Sequence, residues 1–433
     1  MRIPHLVAGA WLLAGALSAC GGGAPANGAA APPAAPPGAW TQWLQAHAHA
    51  LRSSDPRDED FSDLEFLAAA IGDRRLLQLG ESGHGVAEFD GVKARLVRFL
   101  HQRLGFDVIA FESGLFECFH ADEQLPSLTA DQAMRRSIFG VWHADETLPL
   151  FEYLKEARSS SRPLTLAGFD TQFSSTSAAA ERPAEFRELL APLDGEWARQ
   201  AFELDQELVR IASQGRSGAR ATLRTDAERL IAGYERLADQ IAGSQRSLER
   251  AFPSRPLWPG LMRRAAEAAP SYIRALRSEN DGEYSTIRDL AMADNVSYLL
   301  GELYPDRKIV VWAHNFHVQH AGVQNMGSYL VARHRPALYT VGLYMGRGTA
   351  AQNDRTVYTV PPPPVSSLEA LFSSLGQQLA FADLLGAQRS EGTAWMFEPI
   401  VAREWGVNQM RIVPRDQFDA ILFVDRVQPP HYR

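Results

Sequence analysis

The sequence predicts an α/β fold: a mostly parallel central sheet flanked by helices, with an α-helical insertion covering the C-terminal edge of the strands. Three observations predict it. From residue 40 onward, short apolar runs alternate with amphipathic stretches, the pattern of a largely parallel sheet. Residues 184–285 lack such runs and keep a helical period. Four of the strand-like runs are followed by residues able to do acid/base chemistry: Glu81 and His84, then Glu112, then Asp170, then His314 and His317. Ligands of parallel α/β sheets bind outside the carboxyl ends of the strands, so these groups are expected to converge on one edge.

The elements follow in order. RLLQLG (75–80) is a strand and ESGHG (81–85) a glycine-punctuated turn. The helix after it places Val86, Phe89, Val92, Leu96 and Phe99 on one face. FDVIAFESG (106–114) and PLTLAGFD (163–170) are the next strands. The insertion is interrupted by a loop at SQGRSGAR (213–220). KIVVWAHN (308–315) and ALYTVGLY (337–344) complete the sheet. Segment 346–366, with four prolines at 361–364, reads as an irregular surface loop. FDAILFVD (418–425) is expected to be an edge or closing strand.

Composition narrows the partners. With 43 Lys and Arg against 51 Asp and Glu, the formal charge is -8, and no basic run stands out. Nucleic-acid binding rests on cations that neutralise phosphates, so no nucleic-acid partner is expected. The first nineteen residues read as a signal peptide, with Arg2 ahead of an apolar core from Leu6 to Leu17. They close on Leu17-Ser18-Ala19-Cys20, which resembles the lipobox of bacterial lipoproteins. That resemblance implies lipidation at Cys20, with membrane attachment through the lipid only and a place in the bacterial envelope. Gly21 after the cysteine favours the outer membrane, facing the periplasm. Residues 20–39, rich in Gly, Ala and Pro, form a flexible tether, and the catalytic domain spans 40–433. Cys118 alone remains in that domain, so no intradomain disulfide forms.

Each candidate also has a plain structural reading. Glu81 can serve a helix N-terminus, Asp170 can cap a turn, and Glu88 reads as a helix-surface contact. Glu112 ends a buried strand and needs a partner. Asn315, between His314 and His317, is placed to orient either ring. Three chemistries can be compared for the set. A serine nucleophile at Ser82 fits poorly, because Gly80-Glu81-Ser82-Gly83-His84 is not Gly-x-Ser-x-Gly. A divalent metal could be held by His84, His314, His317 and Glu112. Metal-free hydrolysis would use His84 as general base, with Glu81 and Glu112 orienting it and His314 or Lys93 as donors to the oxyanion.

At this point the residues resemble the erythromycin esterase family. The resemblance lies in LGESGHGVAEF (79–89), GFDVIAFESG (105–114), FGVWHADE (139–146), GFD (168–170), RDLAMADNV (288–296), WAHNFHV (312–318) and MGSYL (326–330). It implies an α/β core with a helical subdomain and a cleft between them. It also implies hydrolysis of an ester or lactone, possible in macrolides, with His84 as base toward water and no covalent intermediate. Glu81, Glu112 and His314 take the other catalytic places. Lys93, His317, Asp170, Glu146 and Arg288 are expected to bind substrate, and no cofactor is expected, with a divalent metal left open. Lys93 stands where macrolide-resistance members carry arginine, and the segment after Trp142 keeps Glu146 but lacks their Arg-x-x-Asn-like ending. A lysine keeps the charge and loses the planar fork. A binding protein of the envelope that captures a ligand without hydrolysis is the alternative from another class.

Overall fold

The apolar runs of the sequence are strands buried on both faces. The structure, a computed structural model, describes residues 36–433. The signal segment, Cys20 and the tether up to residue 35 lie outside them. The tether ends earlier than expected: a helix already runs over Gly38–His47, anchored by Leu44, which is wholly buried.

Among the described residues there are eleven strands. They are β1 (His49–Ala50), β2 (Leu76–Leu79), β3 (Phe106–Gly114), β4 (Thr165–Asp170), β5 (Lys308–Trp312), β6 (Leu338–Ala351), β7 (Val357–Val360), β8 (Leu379–Asp383), β9 (Ile400–Glu404), β10 (Asn408–Ile412) and β11 (Ala420–Val427). The main sheet has the order β1-β8-β11-β6-β2-β5-β3-β4, with β7 hanging on β6. All neighbours from β11 to β4 are parallel, while β8 pairs antiparallel with both β11 and β1. A run such as VIAF in β3 is apolar at every position because both faces are covered. The C-terminal ends of β2, β5, β3 and β4 therefore lie side by side, which is where the chemistry-bearing residues fall.

Two expectations are corrected. FDAILFVD is no edge strand: β11 sits between β6 and β8, and Ile421 to Val424 are fully buried. Segment 346–366 is irregular only in part, since strands take up about half of it. β6 runs on to Ala351, and β7 doubles back on it in antiparallel register. The prolines at 361–364 follow β7, and within β6 Gly346 answers a close approach, since a Cβ there would come 2.4 Å from the carbonyl oxygen of Asp425.

The helical block between β4 and β5 is longer than the sequence suggests, running from Thr176 to Tyr298, with a π-helical turn to Leu303. The expected break at 213–220 shrinks to Ser213–Gln214, after which one helix spans Gly215–Ala251. The block is tied internally by a buried group. The Arg182 guanidinium donates to Asp205 at 2.6 and 3.1 Å, and the Tyr234 hydroxyl donates to the same carboxylate at 2.6 Å. Its last helix, Asp281–Tyr298, reaches the sheet: Asn295 Nδ2 donates to the Phe169 carbonyl at 2.8 Å.

Removing one partner of a buried ion pair leaves the other charge uncompensated. Asp205→Ala is therefore expected to cost about 3–5 kcal/mol, read as a lowered midpoint of urea unfolding. A loss below about 1 kcal/mol would show that water replaces the carboxylate.

Candidate active site

The turn after β2 carries the first part of the site. Gly80 is required there by a neighbour: a Cβ would come 2.1 Å from Asn315 Oδ1. Asn315 itself does not orient the histidines. Its amide bonds both backbone groups of Leu343, at 2.9 and 3.2 Å, and so stitches the end of β5 to β6. Glu81 follows, wholly buried and six residues ahead of the helix Ala87–Leu104, so it is not that helix's N-terminal carboxylate. Its Oε1 accepts from His84 Nδ1 at 2.6 Å and from the Trp142 indole at 3.0 Å, and its Oε2 from Lys93 Nζ at 2.5 Å. A carboxylate facing Nδ1 puts the hydrogen on that nitrogen and leaves Nε2 free to accept a proton. The His84 ring keeps a 14% exposed edge and is boxed by Trp142, His314 and Trp405, with centroids 5.1 to 5.7 Å away.

Lys93 is not open to substrate. It is fully buried, with its ammonium against Glu81 and 4.3 Å from the centre of the Trp312 ring. Burial pulls it below its ordinary range, against the raising effect of Glu81. Ser82 is also fully buried, and its hydroxyl has no partner.

A second group forms at the ends of β3, β4 and β5. β3 bulges between Phe111 and Gly114, and the bulge re-aims Glu112. Glu112 does not touch His84. Its Oε1 accepts from Arg288 at 2.8 Å and lies 3.2 Å from His317 Nε2, and its Oε2 accepts from the His314 amide at 3.0 Å. Arg288 also donates to both oxygens of Asp170, at 2.5 to 3.2 Å, while Asp170 caps the Gln172 amide at 3.1 Å. His317 Nδ1 lies 2.7 Å from Asp289. Burial opposes a charged His317, but Asp289 and Glu112 together outweigh it and push the ring up to about 10. It is an imidazolium, so its 3.2 Å contact with Arg288 joins two donors that share Glu112. Burial would likewise raise Glu112, yet His317 and Arg288 hold it well below the usual carboxylate range.

His314 stands between the two groups. Its Nδ1 accepts from the Phe316 amide at 3.1 Å as the N-cap of a short helix, which fixes a hydrogen on Nε2 in the neutral ring. Burial first, then His84 and His317, keep this imidazole well below its usual range and so neutral. The i,i+3 spacing of His314 and His317 does not pair them, because their rings turn to different partners.

Glu146 lies outside the cluster and pairs with His431 at 2.5 Å, and Glu88 accepts from the Gln428 amide at 3.0 Å. The proposed metal ligands do not assemble: among the described residues no group of three or more His, Cys, Asp or Glu is disposed to hold an ion. Glu112 and His317 are instead committed to Arg288 and Asp289. The sequence reading missed Trp142 and Asp289 as direct partners of Glu81 and His317, and missed Glu404 and Trp405 altogether. Glu404 and Trp405 sit on the β9–β10 hairpin, where WG between two short strands gave no recognisable turn signal.

This geometry defines a class: an α/β protein with a carboxylate-oriented histidine at the C-terminal edge of a parallel sheet. The comparisons place it further. The family described as Erythromycin esterase matches residues 101–427, and the chain belongs to that family and is a hydrolase. A Bacillus subtilis protein, YbfO, named only provisionally as a hydrolase, is 29% identical over 90% of this chain and 91% of its own. The Escherichia coli protein named erythromycin esterase type I is 28% identical over 63% of this chain and 68% of its own. Among solved structures, a succinoglycan biosynthesis protein superposes with a TM-score of 0.76 at 17% identity, covering 91% of this chain and 98% of that one. A histidine-to-asparagine mutant of the erythromycin esterase EreC, in its open conformation, gives 0.67 at 21% identity, covering 88% and 98%. These two likenesses concern the fold.

The His317 charge is linked to stability. Because its folded value is raised from 6.5 to about 10, its contribution is complete below pH 6.5 and is lost as pH rises through about 10. The stability gap between the protein and His317→Asn, from urea unfolding, is expected to shrink over that window. A gap that stays constant with pH would show a neutral ring.

Proposed function

We propose that the protein hydrolyses a carboxylic ester or lactone, with water as the direct nucleophile. The observation that carries this reading is the 2.6 Å contact of Glu81 with His84 Nδ1. It fixes the tautomer whose Nε2 takes a proton from water, the role of a general base. Attack by that hydroxide on the carbonyl carbon makes a tetrahedral oxyanion, and His314 Nε2–H is the neighbouring donor that faces it. The proton held on His84 then goes to the leaving alkoxide as the intermediate collapses. The buried, unpartnered hydroxyl of Ser82 supports direct attack by water rather than an acyl-enzyme. The Glu112–Arg288–Asp170 and His317–Asp289 groups position the loop that carries His314 and are engaged with one another. The names of the esterase relatives make a macrolide lactone one substrate to try.

The test is a panel of macrolides, simple lactones and 4-nitrophenyl esters with the protein and its His84→Ala variant. Turnover of at least one member is expected, reduced about 100-fold or more in the variant, as for loss of a general base. Unchanged turnover in His84→Ala overturns the mechanism. Tight capture without turnover by the wild type would favour a binding protein.

The lipobox at Leu17–Cys20 supports a second proposal, that the protein is lipid-anchored in a bacterial envelope. Expressed in a bacterium, the full chain is expected in the membrane fraction and Cys20→Ala in the soluble one. Identical fractionation would overturn the anchor.

A further inference from the structure

The β9–β10 hairpin contributes a residue that the site as described does not use. The turn at its tip puts Trp405 and Gly406 both at positive φ, 58° and 66°, and closes with Val407 N–H donating to Glu404 O at 3.3 Å. A bulky residue in the left-handed region costs of order 1–3 kcal/mol and persists only where its surroundings enforce it. Here they do. Trp405 N–H donates to the Ser82 carbonyl at 2.5 Å, and the Tyr358 hydroxyl donates to the Trp405 carbonyl at 2.8 Å. The indole then lies over His314, 5.8 Å between centroids and 28° from parallel, and meets His84 at 5.7 Å. The strained turn thereby fixes the residue before it.

That residue, Glu404, has its Oε2 3.5 Å from His314 Nε2. Both atoms are buried and neither has a hydrogen-bond partner. An unmet buried polar atom costs about 1–3 kcal/mol, so two facing each other beside a general base call for an explanation. The groups around Glu404 are His314, Glu369 and the Tyr344 hydroxyl, while the neighbouring Arg403 spends its guanidinium on the carbonyls of Pro361, Met345 and Gly346. No cation therefore meets the Glu404 carboxyl, and burial, with Glu369 adding, pushes it up to about 8. Burial thus favours the protonated acid, which has an O–H to give.

We propose that Glu404 is a catalytic residue, the second donor of an oxyanion-binding pair whose first donor is His314 Nε2–H. Two donors 3.5 Å apart converge on one oxygen at hydrogen-bond distance from each. A substrate carbonyl entering between them has His84 on one side to deliver hydroxide. A neutral acid in this role stabilises developing negative charge without repelling it, as a carboxylate would. No covalent bond to Glu404 forms or breaks.

The proposal rests on the ester-hydrolase reading, and the experiment separates the two. With whichever panel ester is turned over, Glu404→Ala is expected to lower kcat about 100-fold, the usual cost of one lost oxyanion donor, with KM within about threefold. Glu404→Gln, which keeps an N–H donor, is expected to retain kcat within about tenfold and guards against a folding defect in the alanine variant. In parallel, binding of a methylphosphonate monoester, whose tetrahedral anion mimics the intermediate, is measured by calorimetry for the same proteins. Wild type is expected to bind it at least about tenfold more tightly than Glu404→Ala, a difference of about 1.4 kcal/mol. If no ester is hydrolysed but this difference holds, the donor pair stands and the reaction assignment falls. Equal phosphonate binding in wild type and Glu404→Ala, including none in either, or a kcat within threefold in Glu404→Ala, overturns the proposal.

Discussion

Burying the Glu81 carboxylate is the constraint on which the rest of the site depends. Taking an ion of this kind out of water costs several kcal/mol, recovered only when its oxygens are fully engaged. The three donors come from separate pieces of chain: the turn itself, the helix behind it and the loop at Trp142. Each piece is therefore held in place by the same two oxygens. The arrangement also sets the chemistry, because Lys93 on Oε2 balances the charge while Oε1 remains the acceptor that orients His84.

A second buried network extends this order to the helical block. Arg288 and Asp289 are adjacent on one helix, and between them they engage Asp170, Glu112 and His317 at the ends of three segments of the sheet region. Cations and anions alternate along the network, so no charge is left without a neighbour of opposite sign. The neutral His314 sits at its boundary, beside His84, and the positive charge of His317 helps to keep it so. Electrostatics thus assigns different protonation states to two histidines three residues apart.

How much of this the sequence showed depends on the period of each element. The parallel strands were legible because burial on both faces writes an unbroken apolar run, and the acid/base residues after them marked the catalytic edge. β11 was misread because such a run does not say whether a neighbour exists on each side, and the end of β6 because the prolines at 361–364 coloured the whole segment as loop. Lys93 was taken for a substrate contact because it stands where macrolide-resistance members carry arginine; only the position of Glu81 explains its burial. Glu146 shares a motif with Trp142, yet its partner is His431, more than 280 positions away and invisible to any local pattern. Glu404 and Trp405 lie on a short hairpin whose strands alternate weakly, and nothing local announces that its tip returns over the first turn.

The left-handed tryptophan carries an evolutionary consequence. A glycine at position 405 would relieve the left-handed strain of the turn, so the backbone by itself favours the smaller residue. The indole that would be lost is the one stacked on His314 and edging His84. Ease of the backbone and architecture of the cleft therefore pull in opposite directions at a single codon.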